Sequence, residues 1–276
     1  MTVVWPWEQE AVPRLVLGCA SAGGRIGRRA ALRAMARAYE HGVSAFDTAR
    51  SYGYGEGESI LGEFLRQRRD RAFVITKGGI PPAVGAGGVR RWVKNVARIG
   101  LRFAPALSSV VRSKAAVVRD LTNYQPQRLL ASLEHSLSSL GVGRIDAYLI
   151  HDVPGRLPMR DDIISMLERQ RELGHIGVWG VSGAADACAS FADVPECAVM
   201  QFPASPLAIA QYPPGFPPRL GVRLGNQVLT DVEGTVAAEQ ALRRPLVDGI
   251  CDALVVSMYS SDHLQSNLNA VRSPGV

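Results

Sequence analysis

Short apolar runs of strand length recur along the chain, and segments with the periodicity of amphipathic helices separate them. Several runs are almost continuously apolar, which is typical of parallel β-strands that are covered on both faces. Eight strands are predicted, at Leu15–Cys19, Ser44–Phe46, Phe73–Thr76, Ala147–Ile150, Gly177–Val181, Val199–Phe202, Gly221–Leu224 and Ala253–Val256.

The intervening segments predict seven helices, at Arg28–His41, Glu58–Arg68, Gln127–Leu140, Asp161–Gly174, Ala184–Phe191, Thr235–Arg244 and Asp262–Val271. Where one more helix is expected, Leu207–Leu220 contains QYPPGFPP, and its prolines forbid a regular helix. Strands that alternate with helices indicate a parallel sheet. Eight of them favour a closed (β/α)8 TIM barrel over an open doubly wound sheet, and 276 residues suffice for a single barrel domain over 1–276.

A long insertion at about residues 78–120 interrupts the alternation after the third strand. Residues 78–119 contain eight Lys or Arg residues and no acid. Residues 89–103 place apolar side chains on one side of a helical wheel and basic ones on another, so we expect an amphipathic helix over the barrel mouth. Such a segment would favour an anionic or carrier-bound substrate. Nucleic acid is not a predicted partner, because basic charge alone is only an electrostatic footprint.

The remaining composition narrows the class of protein. No apolar run is long enough for a transmembrane helix, and the first residues lack the pattern of a signal peptide. The four cysteines follow neither metal-ligand nor disulfide spacing, which predicts no metal site and a reduced, cytoplasmic protein. Oligomeric state has no signature in the sequence.

Polar residues follow three neighbouring predicted strands. Asp47 and Tyr52 follow the second strand, Lys77 the third and His151 the fourth. Because the carboxyl ends of the strands of a barrel converge on one face, we expect these four side chains to meet there.

The four residue types together suit proton transfer to a carbonyl oxygen. A phenol, with an ordinary pKa of about 10, is a poor acid near neutrality. We expect the Lys77 cation to lower the pKa of Tyr52, Asp47 to hold the ammonium, and His151 to orient the carbonyl. No side chain supplies a hydride, so a nicotinamide cofactor is implied.

The chain resembles the aldo-keto reductase family in several stretches: LVLGCASAGG at 15–24, FDTARSYGYGEGESILGEFL at 46–65, VITKGG at 74–79, SLEHSLSSLGVGRIDAYLIHD at 132–152, GVWGVSG at 177–183, QFPASP at 201–206 and VVSMYSSDHLQSNLNAV at 255–271. The resemblance implies that Tyr52 is the proton donor, that Lys77 and Asp47 tune it, and that His151 orients the carbonyl. A histidine at that position, rather than a glutamate, fits reduction of carbonyls.

The resemblance also implies NADP(H) as cofactor, with NAD(H) as the alternative. Ser182 and Gln201 match two of the three residues that hold the carboxamide in the family, but Gly183 replaces the asparagine. The seventh strand offers no aromatic residue to stack on the nicotinamide. Of the positions that hold the adenosine phosphate, His263 and Asn267 are the candidates, and only the asparagine matches.

The expected function is reduction of a small-molecule aldehyde or ketone to an alcohol, or the reverse. One alternative is a redox-neutral acid/base enzyme on the same barrel, catalysing a dehydration, an isomerisation or an aldol-type reaction. Another is a catalytically idle subunit or scaffold that acts through the basic insertion.

Overall fold

Eight parallel strands close into a barrel in which each strand pairs with its neighbours in sequence and β8 pairs with β1. The computed structural model describes residues 5–8, 13–83, 121–218, 221–230 and 232–272. The strands are β1 Leu15–Gly18, β2 Ala45–Asp47, β3 Phe73–Gly78, β4 Ile145–His151, β5 Ile176–Ser182, β6 Cys197–Pro203, β7 Val222–Asn226 and β8 Ala253–Val256. The predicted closed barrel is confirmed.

The helices lie outside the barrel. They are α1 Arg28–Glu40, α2 Gly57–Leu65, α3 Pro126–Leu140, α4 Arg160–Glu172, α5 Ala185–Ala189, α6 Pro206–Ile209, α7 Thr235–Val247 and α8 Ser261–Arg272. The expectation that prolines prevent a regular helix after β6 is wrong for Pro206–Ile209, which forms one helical turn. Pro206 occupies the first turn of α6, where a missing N–H costs nothing, and the Ser205 hydroxyl accepts a hydrogen bond from the Ala208 amide at 3.3 Å.

The barrel interior is filled by apolar side chains, and their positions along each strand show which residues face inward. Ala45, Ile75, Leu149, Val199 and Leu224 belong to this inner cluster. Trp5 packs on Phe73 at the amino-terminal end of the strands, with 4.9 Å between ring centroids. Successive side chains of a strand alternate between its two faces, so the residue two positions after each inner residue also faces inward. These residues, at the carboxyl-terminal mouth of the barrel, are Asp47, Lys77, His151, Gln201 and Asn226.

The insertion begins later than the sequence suggested. Gly78 belongs to β3 and pairs with Ile150 of β4, so the predicted start at residue 78 is wrong. Glycine is the residue that fits at position 78, because a Cβ there would lie 1.9 Å from the Tyr148 hydroxyl. The predicted basic helix at 89–103 lies outside the described residues. The described chain resumes in a 3-10 turn, Leu121–Tyr124, that leads into α3.

Two further observations concern the chain as a whole. The four cysteines are unpaired and buried: Cys19 after β1, Cys188 in α5, Cys197 in β6 and Cys251 before β8. In the described part of the chain, every helix is too short or too polar to cross a membrane.

Candidate active site

An ion pair between Lys77 and Asp47 occupies the mouth of the barrel. The Lys77 ammonium donates to both Asp47 carboxylate oxygens, at 2.6 and 2.7 Å, and to the Thr48 carbonyl oxygen at 3.1 Å. Lys77 is 1% exposed and Asp47 is 3% exposed. Burial is the largest single effect and acts to lower the pKa of Lys77, but the charges and hydrogen bonds of Asp47 and Tyr52 together outweigh it and the pKa is raised. Lys77 is therefore a buried cation held by three oxygen acceptors.

Tyr52 lies within hydrogen-bonding distance of this cation. Its hydroxyl oxygen accepts from the Lys77 ammonium at 3.3 Å. Burial raises the pKa of the Tyr52 hydroxyl above its ordinary value, while Lys77 acts to lower it. The expectation that the ammonium brings the pKa of this phenol below its ordinary value is therefore wrong for the free protein, since desolvation outweighs the neighbouring charge. Tyr52 is a protonated phenol whose anion would have a cation beside it.

The glycines around Tyr52 allow its loop to pack against the loop after β1. Gly53 has φ +60°, and a Cβ there would lie 2.0 Å from the Ala22 carbonyl oxygen. Any side chain would therefore push the two loops apart, and glycine is the residue that fits this close approach. The YGYG sequence thus sets the position of the Tyr52 ring through the backbone of the next residue.

The helix that follows Tyr52 is anchored to β3 by a second buried polar contact. The Thr76 hydroxyl donates to the Glu58 carboxyl at 2.7 Å, and Glu58 is 1% exposed. Burial raises the pKa of Glu58. Thr76 faces the helices while Lys77 faces the barrel interior, so adjacent residues of one strand fix α2 and the buried cation.

His151 lies at the end of β4 with its ring edge towards Tyr52. The two ring centroids are 5.6 Å apart and the planes are nearly perpendicular. Burial, followed by the Lys77 charge, lowers the pKa of His151 to about 3, so the imidazole is neutral near pH 7. The Tyr124 hydroxyl donates to the His151 carbonyl oxygen at 2.9 Å, which fixes the backbone at this point. The buried Nδ1 atom has no hydrogen-bond partner.

Ser182 and Gln201 connect the opposite wall of the mouth to the ion pair. The Ser182 hydroxyl donates to Gln201 Oε1 at 2.8 Å, and Gln201 Nε2 donates to Asp47 Oδ1 at 3.0 Å. A continuous hydrogen-bonded chain thus runs from β5 through β6 to β2 and β3. Six of the eight residues predicted for the site, all except His263 and Asn267, lie together at the mouth.

His263 and Asn267 lie apart from that network on α8. His263 is exposed, and its backbone amide donates to the Ser260 hydroxyl at 3.1 Å. Asn267, one turn later, is 5% exposed. Within the described ranges, no hydrogen bond joins either residue to the six at the mouth.

Sequence reasoning missed Asn226, the last residue of β7. Its Oδ1 atom is buried and has no hydrogen-bond partner among the residues that the structure describes. The inward position of Asn226 could have been predicted from the alternation of side chains along β7, because Asn226 follows the inner residue Leu224 by two positions.

Two cavities lie beside the mouth. One, of about 330 Å³, is lined by residues that include Arg50, Arg128 and Asn123. The other, of about 480 Å³, lies between α6 and α7 and includes Ile209, Glu233 and Arg244. Neither cavity is lined by Asp47, Tyr52, Lys77 or His151. No set of three or more His, Cys, Asp or Glu side chains in the described segments is placed to hold a metal ion.

Comparison with known proteins begins with the sequence. The profile of the aldo/keto reductase family matches residues 14–208, which is more than half of the chain. Pyridoxal 4-dehydrogenase of Microbacterium luteolum is 29% identical over 164 residues, covering 54% of this chain and 42% of the relative. L-glyceraldehyde 3-phosphate reductase of Escherichia coli (strain K12) is 28% identical over 156 residues, covering 45% of each. The chain spans less than half the length of these curated relatives.

Solved structures cover nearly the whole chain. An aldo-keto reductase from Bacillus halodurans in its holo form superposes with a TM-score of 0.69 at 17% identity, covering 96% of this chain and 88% of that one. An aldo-keto reductase from Klebsiella pneumoniae in complex with NADPH gives a TM-score of 0.64 at 20% identity, covering 98% and 89%. At these identities the likeness establishes the barrel fold.

Proposed function

Because this chain belongs to the aldo-keto reductase family, we propose that it is an NADP(H)-dependent oxidoreductase that interconverts an aldehyde or ketone and its alcohol. One observation carries the proposal: the buried Lys77 ammonium lies between the Asp47 carboxylate and the Tyr52 hydroxyl, at 2.6 and 3.3 Å. That arrangement is suited to a phenol that donates a proton and leaves a stabilised anion. The neutral His151 ring beside it is suited to donate a hydrogen bond to the carbonyl oxygen.

The protonation states of Tyr52 and Lys77 agree with proton transfer from Tyr52 to the carbonyl oxygen. In the free protein Tyr52 holds its proton, because burial raises its pKa, and Lys77 is charged. When negative charge develops on a substrate oxygen, the Tyr52 proton moves to that oxygen and the phenolate is left beside the Lys77 cation. Asp47 keeps the ammonium in place throughout. Preorganised charge of this kind needs little reorganisation during the reaction.

The nicotinamide would supply the hydride, and the chain offers polar groups to hold it. Ser182 and Gln201 face into the mouth from β5 and β6, and the buried Asn226 oxygen beside them lacks a donor. His263 stands exposed at the start of α8 and is the candidate contact for a solvent-facing phosphate. These residues fit a nicotinamide cofactor, with NADP(H) as the expected form and NAD(H) as the alternative.

The test pairs two tyrosines that are two residues apart. Binding of NADPH is measured by its fluorescence, and turnover is measured with an aldehyde panel of 4-nitrobenzaldehyde, pyridoxal and glyceraldehyde 3-phosphate. Tyr52→Phe should bind NADPH as the unaltered chain does and lose turnover by roughly 10²–10⁴-fold. Tyr54→Phe is the matched control, since Tyr54 is 62% exposed, and it should retain turnover. Failure to bind either NADPH or NADH, or full turnover by Tyr52→Phe, would contradict the proposal.

A second candidate is a redox-neutral acid/base enzyme. It is favoured by the sparse cofactor wall, where Gly183 provides no side chain and the described residues of β7 include no aromatic ring. Product formation from an aldehyde or alcohol in the complete absence of nicotinamide would decide for this candidate.

A further inference from the structure

Asn226 is an inward-facing amide at the mouth of the barrel. It pairs with Pro203 across the β6–β7 ladder, two positions beyond the Gln201–Leu224 pair. Leu224 packs inside the barrel, so strand alternation directs Asn226 to the same interior, nearer the mouth. Its side chain therefore lies one layer nearer the mouth than the side chain of Gln201, on the side of the barrel opposite Tyr52 and His151.

The oxygen of this amide is buried without a donor. Such an unpaired carbonyl is unfavourable, because it has lost its hydrogen bonds to water and gained none within the protein. The neighbouring Gln201 differs, since its Oε1 accepts from Ser182 and its Nε2 donates to Asp47. Asn226 is thus the amide on this wall that still has an acceptor to offer to a ligand.

The position next to Ser182 cannot supply another amide without a local shift. A Cβ built on Gly183 would lie 3.2 Å from the Val153 amide nitrogen and 3.4 Å from the Val153 side chain. The first distance is tighter than most Cβ contacts, so the asparagine that the family resemblance predicts would require Val153 to move by a few tenths of an ångström. Gly183 itself provides no side chain, so an amide contact to the ligand has to be sought at another position.

We propose that Asn226 accepts a hydrogen bond from the carboxamide N–H of the nicotinamide and so takes over the role of the missing asparagine. The inference rests on the proposed function. Tyr52 and His151 lie on β2 and β4, and Asn226 on β7 belongs to the opposite wall of the mouth. Asn226 would hold the carboxamide there through its unpaired oxygen, and the bound nicotinamide would supply the hydride.

The experiment compares NADP⁺ with its 3-acetylpyridine analogue, in which a methyl group replaces the carboxamide NH₂. Both are titrated into the full-length protein by calorimetry, so the readout is affinity and not turnover. The unaltered chain should bind NADP⁺ about tenfold more tightly than the analogue, the effect expected of one hydrogen bond. Asn226→Leu should lose about tenfold for NADP⁺ and little for the analogue, so that the preference disappears. Asn226→Asp keeps an acceptor oxygen and should keep the preference.

Two controls separate this contact from a structural role. Gln227→Asn alters the next residue, which is exposed, and should leave both affinities unchanged. Thermal unfolding of Asn226→Leu and Asn226→Ala should occur at the same or a higher temperature than that of the unaltered chain, because each removes an unpaired buried oxygen. An undiminished preference for NADP⁺ in both variants would overturn the inference while leaving the proposed function intact. Binding of neither dinucleotide by the unaltered chain would overturn both.

Discussion

The two halves of the barrel mouth differ in how completely their polar groups are paired. On β2–β4, which we call the acid–base half, Lys77 makes four contacts with oxygen atoms of Asp47, Thr48 and Tyr52, at 2.6–3.3 Å. On β5–β8, which we call the cofactor half, Ser182 and Gln201 are paired, whereas the buried Asn226 oxygen has no donor. His263, on helix α8 that follows this half, is exposed to solvent.

The difference follows from what each half would have to do. A buried cation must be held by the protein itself, because an unpaired charge in a low-dielectric interior is strongly unfavourable. Polar groups that receive a ligand have to keep some hydrogen-bonding capacity for it. A fully held cation beside groups with spare hydrogen-bonding capacity, such as the His151 Nδ1 atom and the Asn226 oxygen, is therefore what a barrel that both binds a ligand and transfers protons should contain.

The strongest test of the acid–base half removes its cation. Lys77→Met leaves Asp47 buried with Gln201 as its remaining side-chain donor, so the free energy of unfolding should fall by about 3–5 kcal/mol. Turnover should fall by roughly 10²–10⁴-fold. Denaturant unfolding measures the first effect. The double variant Asp47→Asn, Lys77→Met should recover much of the stability and none of the turnover, and equal stability of the single variant and the unaltered chain would refute the prediction.

Gln201 tests whether the two halves are coupled. Gln201→Leu takes a donor from Asp47 and the acceptor from the Ser182 hydroxyl, so the free energy of unfolding should fall by about 1–3 kcal/mol. The double variant Ser182→Ala, Gln201→Leu should be less destabilised than the sum of its two single variants, since no unpaired hydroxyl remains. Strict additivity would mean that the chain from β5 to β2 carries no energy.

The histidine of the acid–base half predicts a pH dependence. His151 titrates near 6.5 when unfolded and near 3 when folded, so between these values the unfolded chain binds the extra proton. Stability should therefore fall as pH falls below about 6.5, by up to 1.36 kcal/mol per unit from this group. In His151→Gln the loss between pH 6.5 and 5 should be smaller by about 1–2 kcal/mol, as measured by denaturant unfolding at each pH. Identical pH slopes in the two proteins would show that the folded imidazole is not held neutral.

The smallest effect is expected where the cofactor half is most open. His263→Arg places a permanent cation at an exposed position, so the affinity for NADPH should rise by about three- to tenfold while that for NADH stays unchanged. The increase should weaken as salt is added, because the pair is exposed. Equal gains for both cofactors, or none, would place the 2′-phosphate elsewhere.

The barrel and the acid–base half were predictable because their signals are strong. Eight apolar runs alternate with helical patterns, and each candidate acid–base residue follows one of three consecutive strands. The predicted strand ends were early for a physical reason. β4 continues through His151 and β5 through Ser182, where polar side chains face the mouth and the apolar run has already stopped.

The cofactor half was less predictable. Asn226 belongs to no recognisable motif. Strand alternation places its side chain inside the barrel only once the strands are known to close, and the local sequence does not show this. The raised pKa of Tyr52 was predicted with the wrong sign, because a sequence shows that a cation is near but not how completely the phenol is desolvated. Burial is a property of the whole fold, whereas adjacency to Lys77 follows from two neighbouring strands.

Because all four cysteines are buried, the reactivity of each thiol reports local opening of the barrel around it. Each thiol lies in a different segment around the barrel wall, and burial raises the pKa of every one of them. A thiol reagent can therefore modify Cys19, Cys188, Cys197 or Cys251 only after its own segment separates from the rest. The order in which mass spectrometry detects the four adducts would show which of the four segments opens most readily and which opens least readily.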